Sequence, residues 1–246
     1  MSRSVVSFTS SPFRLPLFLP HVMQWIDAGL PVDAWQLHLP ERYRDDASYS
    51  ESLIAQVPSS IELIRHPGPD PGPALKLLGP LRVESETDTT VLTIDDDVAY
   101  SPRWLSALIA RQKATPDAAV GGKGFLWADG QLKPMRCNAA PCDVLQGYGG
   151  VAYPRHALDE QRLGEQLADA PDALRFSDDV LLSNHLASRG VPRQVFAPTG
   201  ETLNHLPWGD TDPQALKQIG GGVHTRYREA AEVLQRSRTW ALTPLL

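Results

Sequence analysis

Apolar and polar positions repeat with two different periods along this chain, and the two periods predict alternating strands and helices. Short apolar or alternating runs predict strands at 4–8, 34–40, 60–67, 89–94, 118–127, 143–154 and 191–198. Apolar residues at helical spacing predict helices at 16–28, about 75–81, 101–112, 177–190 and about 223–238. Strands that alternate with helices predict a mostly parallel sheet between two helical layers, a three-layer α/β/α fold.

Two of the predicted helices carry clear start signals. Ser101 precedes Pro102, which is the preferred order of an N-cap and a first helical residue. Ser177 precedes two aspartates and an apolar stretch that ends at Gly190, which predicts an N-cap and a glycine C-terminus. The strand at 89–94, "TTVLTI", is apolar enough for a central strand that is covered on both faces.

Composition narrows the class of protein. The chain has 246 residues, of which 42% are hydrophobic, and its 22 prolines are scattered between elements, so we predict a single domain over 1–246. A net charge of −6 without a run of Lys or Arg argues against nucleic acid as a partner. We expect no transmembrane segment, because no stretch approaches about 18 apolar residues, and no secretory signal peptide, because the start, "MSRSVVSFTSSP", lacks an apolar core. Two cysteines are too few for a disulfide framework or a cysteine-based zinc site. The expected location is the cytoplasm.

Three consecutive carboxylates, Asp95, Asp96 and Asp97, follow the predicted central strand. Ligands bind beyond the carboxyl ends of strands in such sheets, and adjacent carboxylates there require a cation or open water. On extended backbone Asp95 and Asp97 would point the same way and face one hard cation, Mg²⁺ or Mn²⁺, which would bridge to a diphosphate. An acidic turn that merely ends the strand is the structural alternative.

An ordered set of segments carries a resemblance to a known family. The segments, from about residue 4 to 205, are "SFTSSPFR", "GPALKLL", "VLTIDDDVAYSP", "GYGGVAYP" and "SDDVLLSNHLASRG". In this order they resemble nucleotide-sugar-dependent glycosyltransferases of the glycosyltransferase A fold, especially the bacterial enzymes of surface-polysaccharide and lipopolysaccharide synthesis. The resemblance implies a Rossmann-like fold with a nucleotide-binding half (4–130) and an acceptor-binding half with a C-terminal helix (131–246).

The implied activity is hexosyltransferase-like and depends on Mn²⁺ or Mg²⁺. A sugar would move from a nucleoside diphosphate sugar, with UDP favoured, to a hydroxyl group of a glycan or a lipid-linked sugar. A lipid-linked acceptor would bring the protein to the inner face of the membrane, but no residue indicates this. The donor sugar, the acceptor, the stereochemical outcome and the oligomeric state stay open.

The resemblance also assigns the donor side of the site. The residues that would contact the nucleotide sugar are Thr9, Ser10, Arg14, Lys76, Asp95, Asp96, Gly149 and Gly150. The metal ligands would be Asp95, Asp97 and a histidine after the last core strand, for which His205, close behind the strand at 191–198, is preferred to His224. Judged by residue type alone, Arg14 is equally a solvated helix-start residue, and Lys76 is more typical of a side chain that reaches from an apolar helix to water. Glycines also mark bulged strands, so backbone packing is the alternative for Gly149 and Gly150.

The acceptor side would be formed by "FSDDVLLS". In an inverting enzyme of this family Asp179 would take the proton of the attacking hydroxyl group, and Asp178 would orient the acceptor. The family commonly has Glu-Asp here, so Asp178 departs from its pattern. Capping and the helix dipole select Ser-Asp-Asp at a helix start in any case. Trp127 or Trp208 would be placed to stack on a sugar, whereas Trp25 and Trp104 have the spacing of core residues.

Two other classes of protein remain. A metal-dependent phosphohydrolase or nucleotidyltransferase also uses clustered carboxylates with a hard cation. The nucleotidyltransferase usually has a glycine-rich phosphate loop near the first strand, and "SFTSSPFR" has no glycine, so this hypothesis ranks second. The third is a non-catalytic relative that binds a sugar nucleotide or a glycan without turnover.

Overall fold

The computed structural model describes residues 2–44, 47–68, 70–128, 131–135, 140–168, 170–211, 223–237 and 239–242. The strands are β1 (Ser4–Phe8), β2 (Ala34–Pro40), β3 (Glu62–His66), β4 (Thr90–Thr93), β5 (Val98–Ala99), β6 (Ala119–Gly121), β7 (Gly124–Ala128), β8 (Gln131–Pro134), β9 (Ala140–Pro141), β10 (Val144–Leu145), β11 (Val151–Pro154), β12 (Arg193–Val195) and β13 (Asn204–His205). The α-helices are α1 (Leu15–Asp27), α2 (Glu51–Ile54), α3 (Leu75–Val83), α4 (Pro102–Ala114), α5 (Glu160–Ala168), α6 (Asp172–Arg175), α7 (Asp178–Ser188), α8 (Trp208–Thr211) and α9 (Val223–Arg236).

The main sheet has the strand order β3-β2-β1-β4-β11-β6-β12-β9. The run from β3 to β4 is parallel, β11 is antiparallel to both of its neighbours, and β12 is parallel to β6. Ser7 of β1 lies beside Thr93 of β4 in this register. Because the two strands are parallel, the segments after Phe8 and after Thr93 emerge at the same edge of the sheet.

The sheet separates two hydrophobic cores. Adjacent residues of β4 point to opposite faces, so Val91 belongs to one core and Leu92 to the other. The first core lies under α3, α5, α7 and α9, and the second lies under α1, α2 and α4. The three-layer α/β/α fold with a mostly parallel, Rossmann-like sheet is therefore confirmed, and so is the burial of β4 on both faces. Trp25 and Trp104 are core residues, as predicted.

The sheet draws strands from both sides of residue 130, since β11 lies between β4 and β6. The two predicted halves thus share one sheet, and their separate roles stay predictions. In the described residues there is no helix with the length and apolar character needed to span a membrane.

Two predicted strands are interrupted by corners. The segment 118–127 divides into β6 and β7, and 143–154 divides into β10 and β11 with a helical turn at Gly147–Gly149 between them. Close packing accounts for the break at Gly122, where a Cβ would lie 2.4 Å from the Gly149 carbonyl oxygen and from the Trp104 ring. Glycine is required where backbone approaches this closely.

The side-chain N-cap that the sequence predicts for α7 is not formed. Ser177 occupies the position, but its side chain makes no capping hydrogen bond, and its buried hydroxyl has no partner in the described part of the chain. Ser101 does cap α4, where its Oγ accepts from the Trp104 N–H.

A buried histidine pair on β2 and β3 makes stability depend on pH. His38 Nδ1 lies 2.8 Å from His66 Nε2, and burial lowers the pKa of His38 to about 3 and also lowers that of His66. The unfolded chain binds protons at these positions below about pH 6.5, whereas the folded chain does not until lower pH. We expect the contribution of this pair to the free energy of unfolding to be largest above pH 6.5 and to fall, as the pH is lowered, by about 1.4 kcal/mol per pH unit for each histidine that stays neutral.

Denaturant unfolding between pH 7.5 and 5 measures this slope. His66→Gln should flatten the profile, while His156→Gln, at a side chain that is 43% exposed, should leave it unchanged. Equal slopes for the wild type and His66→Gln would contradict the assignment to the pair.

Candidate functional site

Charged side chains from distant parts of the chain meet at the carboxyl edge of β1 and β4. Ser10 and Arg14 follow β1, and Asp95–Asp97 follow β4. Lys76 lies in the first turn of α3, and Asp178 and Asp179 begin α7. This edge is where α/β sheets bind ligands, because the connecting loops diverge there.

Lys76 contacts both acidic segments, through Asp95 after β4 and Asp178 at the start of α7. Its Nζ lies 2.6 Å from Asp95 Oδ1 and 3.0 Å from Asp178 Oδ2, and the residue is only 3% exposed. Burial alone would lower the pKa of Lys76, but the carboxylates of Asp178, Asp95 and Asp179 raise it well above its ordinary value. Lys76 is therefore a buried ammonium ion held by carboxylates, and the expectation of a side chain reaching for water is wrong.

Arg14 joins the other two aspartates. Its Nη1 lies 2.8 Å from Asp96 Oδ1 and 3.3 Å from Asp97 Oδ2, and Ser10 Oγ donates to Asp96 Oδ2 at 2.6 Å. The Trp208 indole N–H donates to the Asp96 carbonyl oxygen at 2.8 Å. Arg14 is thus part of the cluster and not a solvated helix-start residue.

The aspartates do not continue strand β4. β4 ends at Thr93, and Asp96 and Asp97 form a turn. Side-chain alternation therefore does not apply to Asp95 and Asp97, and this part of the expectation is wrong. Asp95 is paired with Lys76, and Asp97 with Arg14.

Asp97 lies beside two other carboxylates, whose charge Arg14 only partly offsets. Burial and the charges of Asp95 and Asp96 raise its pKa to about 6, against the opposing effects of Arg14 and His205. His205 lies on β13, which pairs with β5 directly after Asp97, and its ring stacks on Tyr148 at 5.7 Å between centroids. A carboxylate in this state favours a nearby cation.

The residues that could hold a metal ion are Asp97 and Asp95, with His205 beside them. In the described part of the chain, no three His, Cys, Asp or Glu side chains are grouped as a complete metal site. Mg²⁺ is usually bound by one or two carboxylates and completes its shell with water and substrate phosphates, so Asp95 and Asp97 fit this kind of site. His224 begins α9, but its side chain lies outside what the structure describes.

Asp179 is held from two sides. The Gly147 N–H donates to Oδ1 at 2.8 Å, and the Tyr227 hydroxyl of α9 donates to Oδ2. Burial and the charge of Asp178 raise the pKa of Asp179 to about 7, while Lys76 and the Tyr227 hydrogen bond act in the opposite direction. Asp179 thus changes its protonation state near neutral pH, as a general base should.

The glycine-rich segment contacts this cluster through Gly147. A Cβ there would lie 2.9 Å from Lys76 Nζ and 3.0 Å from Asp179 Oδ1. At Gly149 a Cβ would lie 2.6 Å from the Lys123 backbone N, and Gly150 has a φ of +71°. Packing and backbone conformation account for the last two glycines, and their contact with a sugar nucleotide stays a prediction. Thr9, partly exposed at the same edge, likewise stays a predicted contact.

Two tyrosines of the site, Tyr227 and Tyr100, are not evident from the sequence. Tyr227 has the helical spacing of a core residue, and only the general tendency of a buried hydroxyl to find a partner pointed beyond that. Tyr100 Oη accepts from the Asp95 N–H at 3.1 Å and donates to the Tyr148 carbonyl at 3.0 Å, which fixes the first aspartate. Of the two tryptophans proposed for sugar stacking, Trp208 lies at the site, whereas Trp127 packs on Trp240.

No protein-family model matches the sequence, and no curated protein is significantly similar to it. Solved structures do match the fold, among them the crystal structure of 4-diphosphocytidyl-2C-methyl-D-erythritol synthase. That structure is 12% identical, the alignment covers 86% of this chain and 96% of that chain, and the TM-score is 0.49. A likeness of this degree carries no argument about the reaction, so the function has to be argued from the site.

Proposed function

We propose that this protein is a metal-dependent glycosyltransferase that moves a sugar from a nucleoside diphosphate sugar, with UDP favoured, to a hydroxyl group of a glycan or glycolipid. One observation carries the proposal. A cluster of cations and carboxylates (Arg14, Lys76 and Asp95–Asp97) and a separately held carboxylate (Asp179) meet at one edge of the sheet. The first suits a diphosphate, and the second suits an attacking hydroxyl group.

The donor side consists of groups that bind oxyanions and cations. Arg14 is placed to contact phosphate oxygens, which guanidinium groups bind well. A Mg²⁺ or Mn²⁺ ion held by Asp97 and Asp95 would neutralise charge on the departing diphosphate. Trp208 and Ser10 fix the turn that presents these carboxylates.

The acceptor side consists of Asp179 and its supports. Ionised Asp179 accepts the proton of the acceptor hydroxyl group while the hydroxyl oxygen forms a bond to the anomeric carbon of the donor sugar. The bond from that carbon to the diphosphate breaks, and its electron pair leaves with the diphosphate. Gly147 and Tyr227 hold both carboxylate oxygens in position, which limits the rotation of the base. Asp178, tied to Lys76, is placed to orient the acceptor.

The nucleotidyltransferase hypothesis has one observation in its favour. Arg14 lies between the end of β1 and the start of α1, and with Lys76 it provides cations for a triphosphate. The nucleophile in such a reaction, a phosphate with a second pKa near 6, is already ionised at neutral pH and needs no base. A held Asp179 that titrates near pH 7 therefore favours a hydroxyl acceptor.

Donor binding is expected to depend on metal and on Asp97. In calorimetric titrations with UDP and GDP, one nucleotide should bind in the presence of Mn²⁺ and lose affinity on addition of EDTA. Asp97→Asn should weaken the metal-dependent binding by at least about tenfold, because a charged contact contributes about 1.5–3 kcal/mol. Asp88→Asn, which removes the same charge at an exposed position, is the matched control.

Product analysis separates the hypotheses. Release of UDP or GDP from a nucleotide sugar supports the transferase, whereas release of pyrophosphate from a nucleoside triphosphate and a sugar phosphate supports the nucleotidyltransferase. Failure of both diphosphates to bind with metal present would refute the proposed donor site.

A further inference from the structure

Arg226 on α9 is a buried cation, and some of its donors stay unpaired among the residues that the structure describes. The residue is 5% exposed, and its Nε and Nη1 groups find no partner in the described residues. Burial lowers the pKa of Arg226, although Tyr227, Asp178 and Asp179 act in the opposite direction. Desolvating a charge without pairing its donors is costly, so an arginine kept in this state is better explained by a ligand than by stability.

Its location is the acceptor side of the proposed site. The adjacent residue, Tyr227, donates to Asp179, and α9 packs against α6 and α7. Arg226 is thus adjacent in α9 to the residue that contacts Asp179, and the charges of Asp178 and Asp179 act on its pKa, whereas Arg14 is paired with the donor carboxylates Asp96 and Asp97. An anion at Arg226 would accompany the acceptor.

A second guanidinium group acts on the same region. The charge of Arg44 lowers the pKa of Arg226 further, and Arg44 reaches the same region because it contacts the end of α6, the helix against which α9 packs. Arg44 stacks on the ring of Phe176 at 4.5 Å, and Phe176 stands two residues before Asp178. Asp70 lies 3.8 Å from Arg44 Nε. Two neighbouring guanidinium groups repel each other unless an anion lies nearby, and both bind planar or tetrahedral oxyanions well.

We propose that Arg226, assisted by Arg44, forms an oxyanion subsite that recognises a phosphate or carboxylate group on the acceptor. The assignment of the bound oxyanion to the acceptor rests on the proposed function. It deepens that function by naming a substrate class: acidic or phosphorylated glycans. The binding of the oxyanion itself does not depend on the reaction and is measured separately.

The test compares Arg226→Met with a matched control, Arg228→Met, which removes the same side chain from an exposed position of the same helix. Inorganic phosphate, glucuronate and glucose are titrated calorimetrically without metal. We expect phosphate and glucuronate to bind and glucose to bind much more weakly. Arg226→Met should weaken the two anions by at least about tenfold, Arg226→Lys should retain part of the affinity, and Arg228→Met should match the wild type.

The melting temperature is a second measurement, and it distinguishes an anion-binding role of Arg226 from a structural role. Because burial of a charge with donors unpaired among the described residues costs more than the nearby carboxylates return, Arg226→Met should keep or raise the melting temperature of the ligand-free protein while losing the stabilisation that phosphate gives the wild type. A lower melting temperature for Arg226→Met would show that Arg226 supports the fold and would overturn the proposal. So would absent anion binding in the wild type, or equal affinity in Arg226→Met.

A competition experiment distinguishes an oxyanion on the acceptor from the diphosphate of the donor. Saturation with UDP and Mn²⁺ should leave glucuronate affinity unchanged, and competition would assign Arg226 to the donor diphosphate and overturn the acceptor subsite. If UDP and GDP do not bind but the Arg226-dependent anion site remains, the proposed function fails and the oxyanion subsite stands.

Discussion

Replacement of Lys76 by methionine is expected to destabilise the protein by about 3–5 kcal/mol, the usual effect of removing one partner of a buried ion pair. Methionine keeps most of the side-chain volume, so the change isolates the charge. It leaves Asp95 and Asp178 without the ammonium ion that lies within 3.0 Å of both, and it removes the same cation from the vicinity of Asp179. Denaturant unfolding at pH 7.5 measures the loss.

Two comparisons connect this loss to the carboxylates. Lys113→Met removes a lysine from an exposed position of α4 and should change stability by less than about 0.5 kcal/mol. In the Lys76→Met background, Asp178→Asn removes one unbalanced charge and should restore part of the stability. Strict additivity of the two changes would show that Lys76 and Asp178 do not interact and would contradict the described ion pair.

The elements of the fold could be predicted because each has its own local signal. β4 is a run of apolar residues, α4 has a serine and a proline at its start, and α9 has apolar residues every three or four positions. The breaks inside 118–127 and 143–154 could not be predicted, because they depend on the approach of Gly122 to Gly149 across the sheet. A single sequence contains no signal for that contact.

The site was predictable in chemical type but not in its pairings. Three adjacent aspartates require cations, and Arg14 and Lys76 lie in segments that the family resemblance selected. Which cation meets which carboxylate depends on the turn at Asp96 and on the side of α3 that faces the sheet. Tyr227 contacts Asp179 across 48 positions of sequence, so only the packing of α9 on α7 brings them together.

Replacement of Asp179 by asparagine is expected to remove turnover and to leave donor binding nearly intact. A positioned general base contributes about 10²–10⁴-fold to rate, and an amide cannot accept the hydroxyl proton. The rate of UDP release from a UDP-sugar with a glycan acceptor should fall by this factor, while UDP affinity in the presence of Mn²⁺ should stay within about twofold, since Asp179 contacts Gly147 and Tyr227 and not the Asp95–Asp97 turn. Asp172→Asn, at an exposed position in α6, should retain full activity. Equal losses of binding and turnover in Asp179→Asn would place Asp179 on the donor side and contradict its role as base.

The pH dependence of the same rate tests how Asp179 is tuned. Only the ionised carboxylate accepts a proton, so the rate should rise with pH through about 7, the pKa of Asp179. The hydroxyl of Tyr227 donates to the carboxylate and so favours the ionised form. Tyr227→Phe removes that hydrogen bond, which raises the pKa of Asp179 and moves the midpoint of the profile to higher pH; because Tyr227 also holds Oδ2 in position, the plateau at high pH should be lower than that of the wild type. A lower plateau with an unchanged midpoint would mean that Tyr227 positions the carboxylate without tuning its protonation. A profile that stays flat in both proteins would mean that proton transfer to Asp179 does not limit the reaction.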